Sequence, residues 1–166
     1  MPLVQRTLPF PHPPEYLAAV LRGSRPLDGL PPTFAVVTAW NPGGNVVSDA
    51  DNMARGKALE LRVRALGWEH FDVTGASPDL AHRECGLGVV SPTLADAAAL
   101  SAEFGQRAFF WVEDERVWVC DDASGSGWVA GALADRYGRA AGQGREREGC
   151  LGEHGEVFLH ISTVVE

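Results

Sequence analysis

The stretch Phe34-Ala35-Val36-Val37-Thr38-Ala39-Trp40-Asn41-Pro42-Gly43-Gly44, followed by Ser48-Asp49-Ala50-Asp51, decides how this sequence is read. The run from Phe34 to Trp40 is rich in β-branched and aromatic residues and contains no breaker, so it forms a strand. Asn41-Pro42-Gly43-Gly44 ends that strand, because Pro and Gly do not continue a central one. Ser48 is placed to accept from the backbone N–H of Asp51, with the Asp51 carboxylate reaching back. A helix is expected from there to about Leu66, with Gly67 as its left-handed closing residue.

Downstream, Glu69 to Val73 reads as a second strand ended by Thr74-Gly75. A long loop follows, with Pro78, His82 and Glu84, and then a short strand, Leu87 to Val90. Thr93, with Asp96 three residues on, caps a second helix whose stripe is Leu94, Ala97, Leu100, Ser101 and Phe104. Phe109 to Val112 and Arg116 to Cys120 flank Glu113-Asp114-Glu115 as a hairpin, with Trp111 and Trp118 as core residues. The order β-α-β-β-α-β-β predicts an α+β fold, a ferredoxin-like split β-α-β sandwich with two helices on one face of a mainly antiparallel sheet.

Three segments are expected. Residues 1–32 are a Pro-rich arm in which Glu15 to Arg22 forms a short helix closed by Gly23. Residues 33–122 are the α+β core. Residues 123–166 are a Gly/Ala/Arg-rich extension, with a helical candidate around Val129 to Tyr137 and a period-two terminal strand over 157–165.

A chain of 166 residues with 45% hydrophobic and 22% charged side chains can bury a core of its own. Lys+Arg number 14 against 22 Asp+Glu, a formal charge of −8, which argues against a nucleic-acid partner that needs a basic surface. No apolar run approaches the length of a membrane span, and no basic-then-apolar leader opens the sequence, so a soluble cytoplasmic protein without membrane contact is expected. Cys85, Cys120 and Cys150 are widely spaced and odd in number, and three free thiols are expected.

The first long helix carries the functional argument. At 3.6 residues per turn, Gly56, Val63 and Leu66 lie within about 60° of Leu59 and form the inner stripe. Asn52 and Arg55 fall in the same stripe, while Lys57, Glu60 and Arg64 fall on the far side. Polar groups facing inward need partners. Parallel strands flanking that helix bring Thr38, Trp40 and Asn41 beside Ser48, Asn52 and Arg55, together with Thr74, Gly75 and the loop bearing His82 and Glu84. These residues form a candidate ligand site at the helix start, suited to a small polar or anionic molecule with Arg55 supplying charge. The same residues serve a structural purpose if Arg55 pairs with Glu84 and the Asn side chains bond backbone groups.

The strings Thr38-Ala39-Trp40-Asn41-Pro42, Ser48-x3-Asn52-x2-Arg55, Thr74-Gly75-x2-Pro78 with His82 and Glu84, and Phe104-Gly105-Gln106-x-Ala108 together resemble a bacterial domain-of-unknown-function family, number 3293. The resemblance covers about residues 33–120. It implies a domain and a characteristic polar cluster, and no reaction. The sequence departs from the family pattern at Asp79-Leu80-Ala81-His82 and at Cys85-Gly86, after Glu84.

Three functions are compatible with these residues. The first is a ligand-binding module, acting as a regulator. The second is a hydrolase or transferase with His82 and Glu84 as a catalytic acid–base pair and Arg55 stabilising negative charge. The third is a protein-interaction module whose acidic C-terminal part meets a basic partner. No cofactor is implied. His82-x-Glu84 lacks a third ligand, so no metal is expected. A homodimer is suggested by fold analogy alone.

Overall fold

The computed structural model describes residues 2–90 and 93–140. In chain order the elements are β1 (Val4–Gln5), α1 (Glu15–Ala18), β2 (Val20–Gly23), β3 (Phe34–Thr38), α2 (Asp49–Ala65), β4 (His70–Ala76), β5 (Arg83–Val90), α3 (Leu94–Glu103), β6 (Phe109–Glu113), β7 (Arg116–Cys120), β8 (Ser126–Ala132), α4 (Leu133–Arg136) and β9 (Tyr137–Arg139). The terminal strand expected over 157–165 lies outside the described residues.

The strands form one nine-stranded sheet in the order β1-β8-β7-β6-β3-β5-β4-β2-β9. Its central pairs are antiparallel, and β1–β8 and β2–β9 are parallel. The ferredoxin-like two-layer sandwich is therefore overturned. Among the described residues the protein is a mixed sheet curled into a half-barrel, with four helices.

The curl follows from chain length. Seven inter-strand steps separate β8 from β9. Laid flat at about 4.8 Å per step, they would span about 34 Å. The chain passes from Ala132 to Tyr137 through α4, and five residues reach at most about 18 Å. The two sides of the sheet must bend towards each other.

The curled sheet has two apolar faces. On the convex face α2 and α3 cover Ala35, Val37, Leu87, Val89, Trp111 and Trp118. The two Trp residues are cross-strand partners in the predicted hairpin. On the concave face Phe34, Val36, Val73, Val112 and Val119 face α1, α4 and Tyr137.

Several local expectations need correction. The arm does not hold a helix to Arg22: α1 stops at Ala18, and Val20–Gly23 pairs as β2 with Thr74 and its neighbours. Leu21 is fully buried there. The long loop between the second and third strands shrinks to a turn, because β4 runs on to Ala76 and β5 begins at Arg83. Ser77 N–H donates to the His82 carbonyl at 3.0 Å, and Asp79 accepts from Ser77 Oγ at 2.6 Å and Ala81 N–H at 3.0 Å. Gly75 reads as the end of a strand. Inside a sheet, however, glycine marks a site of close approach: a Cβ on Gly86 would stand 2.5 Å from the Val37 carbonyl oxygen. The extension contributes β8 and β9, with α4 as a helix of four residues rather than one spanning 129–137. Glu60, expected on the far side of α2, is buried between Lys57 and Arg64. Cys120 is a buried free thiol, whereas Cys85 is disulfide-bonded, so the expectation of three free thiols fails at Cys85.

Candidate functional site

The β3–α2 corner forms as its residues suggest. Ser48 Oγ accepts from Asp51 N–H at 3.1 Å and opens α2. Asn41 sits in left-handed backbone at φ 46° and ψ 62°. Its N–H donates to Asn52 Oδ1 at 2.8 Å, and its own Oδ1 accepts from Asn52 Nδ2 at 3.0 Å and Val47 N–H at 3.2 Å. These donors fix the orientation of the Asn41 amide and direct its Nδ2 at Glu84 Oε1, 3.0 Å away.

Arg55 reaches two backbone carbonyls. Its Nε donates to Ala39 O and a terminal nitrogen to Phe104 O, both at 2.6 Å. Gln106 Nε2 donates to Trp40 O at 3.0 Å. Trp40 is buried beside Gly56. Through these contacts Arg55 and Gln106 tie the end of α3 to the β3–α2 corner.

On the other face of the sheet lies a cavity of about 380 Å³. Val36, Val73, Ala108, Phe110 and Val119 line its interior, and Glu15, Tyr16 and Ala19 of the α1 region close one side. Thr38, Ser77, His82, Glu84 and Gln106 also line it. The register places Thr38, Gly75 and Glu84 where β3 and β4 finish and β5 begins, so the polar groups gather at one end. Thr38 Oγ1 is held by the Cys85 carbonyl at 2.7 Å and the Trp40 N–H at 3.1 Å. His82 Nε2 lies 3.4 Å from Glu84 Oε1; the His82 side chain is mostly exposed and that of Glu84 is 28% exposed. Burial pushes the Tyr16 phenol above its ordinary value, and the Glu84 carboxylate adds to the rise. The hydroxyl therefore keeps its proton at neutral pH.

The structure thus divides the candidate residues. Thr38, Gly75, His82 and Glu84 share the cavity, and Asn41 touches it through Glu84. Trp40, Asn52 and Arg55 lie in the corner network, and Ser48 caps α2 at the surface. Thr74 alternates to the face opposite Val73 and Gly75. Sequence reasoning missed Glu15, Tyr16, Gln106, Phe110 and Val119. The available signal was period-two register: Val36/Thr38, Val73/Gly75 and Ala108/Phe110 each put apolar or small residues on one face. Among the described residues no three His, Cys, Asp or Glu side chains gather as a metal site requires, and no helix is long and apolar enough to cross a membrane.

No curated protein and no solved structure matches the chain. Residues 37–109 match a family model described as Protein of unknown function (DUF3293). That stretch holds the whole corner network and Thr38, Gly75, His82, Glu84 and Gln106, while Glu15, Tyr16, Phe110 and Val119 lie outside it. Residues 37–109 of this chain, carrying the polar motifs from Thr38 to Gln106, match the DUF3293 family model.

Proposed function

We propose that the protein binds a small molecule with an apolar body and a polar end, held inside the half-barrel. The observation that carries this reading is the cavity: about 380 Å³, apolar along Val36, Val73, Phe110 and Val119, with polar side chains collected at one end. Ligand sites have this composition and a volume of about 300–1,000 Å³. The expected small polar or anionic ligand beside Arg55 finds less support, because Arg55 Nε and one terminal nitrogen are already on carbonyls.

An NMR titration of the full chain with 1-hexanol tests the reading. Saturable shifts should concentrate at Val36, Val73, Phe110 and Val119. Shifts scattered over the surface, or none at all, contradict it.

The hydrolase or transferase reading keeps one favourable observation, that His82 and Glu84 lie 3.4 Å apart at the cavity. It predicts ester or phosphoester turnover that disappears in both His82→Ala and Glu84→Gln. Turnover that survives both substitutions rules the pair out.

A further inference from the structure

Two carboxylates, Glu15 and Glu84, line the cavity, and among the described residues no Lys or Arg does. Glu84 is the better placed of the two. It stands in β5 directly across from Gly75, where no side chain blocks the space above the strand. A Cβ added to Gly75 would meet its nearest neighbour, Phe110, only at 3.9 Å.

The Glu84 carboxylate is held by groups that are not permanent cations. Asn41 Nδ2 donates to Oε1 at 3.0 Å, and His82 Nε2 lies 3.4 Å from the same oxygen. No hydrogen bond to Oε2 is found among the described residues. The Asn41 amide cannot turn away without losing its bonds to Val47 N–H and Asn52 Nδ2, so the carboxylate is positioned before any ligand arrives. A carboxylate beside an apolar wall has lost part of its hydration, and an incoming cation recovers that loss through charge-assisted hydrogen bonds. Around it, Tyr16 offers a protonated hydroxyl, and Glu15 adds a second negative charge. Arg107, the nearby cation, sits outside the lining beside Gly44. The chain as a whole carries −8, which favours the approach of cations.

We infer that the polar end of the bound molecule is a cation, a primary ammonium or amidinium group seated on Glu84, with its apolar body along Val36, Val73 and Phe110. This rests on the cavity reading proposed above. It reverses the charge preference that Arg55 suggests from sequence.

Calorimetric titration of the full chain at pH 7 with hexylamine, 1-hexanol and hexanoate tests it. Hexylamine should bind about tenfold more tightly than hexanol, and hexanoate more weakly than hexanol. Glu84→Gln should erase the advantage of the amine and leave hexanol affinity within about twofold. If hexanol binds and hexylamine binds no better, the cation assignment falls and the cavity reading stands. If none of the three binds, both fall. An amine advantage that persists unchanged in Glu84→Gln also overturns the assignment. The wild-type comparison needs no variant, so it decides the matter even if Glu84→Gln melts early.

Discussion

Asn41 and Arg55 show what a single side chain does in this protein. Asn41 holds left-handed backbone, which Asn tolerates better than most residues, and its side chain joins Asn52, Val47 and Glu84. Asn52→Ala leaves the buried Asn41 N–H without its acceptor, so we expect a loss of about 2 kcal/mol in urea denaturation. Arg55→Ala should cost about 2–3 kcal/mol by removing the donors to Ala39 O and Phe104 O. A neutral effect at Arg55 would point to a residue kept for a ligand. That Asn52 and Arg55 face inward is legible from helical spacing. That Arg55 bonds two carbonyls is not, because Phe104 is brought there by tertiary packing. Cys120 adds a chemical prediction: burial pushes its thiol up to about 12. Native protein at pH 8 should therefore resist alkylation at Cys120 and react only after denaturation.

At the level of elements, the legible parts are those whose signals are local. The caps at Ser48 and Thr93 and the turn at Asp114-Glu115, both at positive φ, depend on neighbours a few residues away. Gly67 closes α2 at φ 73° as expected. What was misjudged depends on other strands. Gly86 and Gly75 look alike in sequence, yet one meets backbone and the other faces open space. Gly86→Ala forces a Cβ against the Val37 carbonyl and should cost about 2 kcal/mol or more. Gly75→Ala meets nothing closer than 3.9 Å and should be neutral or stabilising by about 0.5 kcal/mol. Chemical denaturation of the two variants side by side separates these outcomes. The strands β1 and β9 escaped notice because each is defined by parallel pairing with a partner distant in sequence.

Across the whole molecule, the N-terminal arm fastens one side of the half-barrel. Arg6 lies over the Trp128 ring, 4.3 Å from its centre, and pairs with Asp121 and Asp122. His12 contacts Asp121 at 2.9 Å and stacks on Tyr16, which closes the cavity. Hydrogen bonds from Ser124, followed by the charge of Arg6, hold the Asp122 carboxyl below its ordinary 3.8. A depressed carboxyl stabilises the fold above its unfolded value and loses that contribution as pH falls through its folded value. Melting temperature should therefore drop as pH falls below 3.8, and less steeply in Asp122→Asn. Equal slopes would remove Asp122 from the account.

The curl that encloses the cavity was not legible in the sequence, because it comes from the short α4 link between strands seven steps apart. The most direct test of an open apolar interior is a crystal exposed to xenon, which occupies dry apolar cavities. The account predicts xenon density among Val36, Val73, Phe110 and Val119 in the wild-type protein, and its loss in Gly75→Leu, where the new side chain fills the space. A wild-type crystal with Phe110 packed onto Val73 and no xenon between them would contradict the claim.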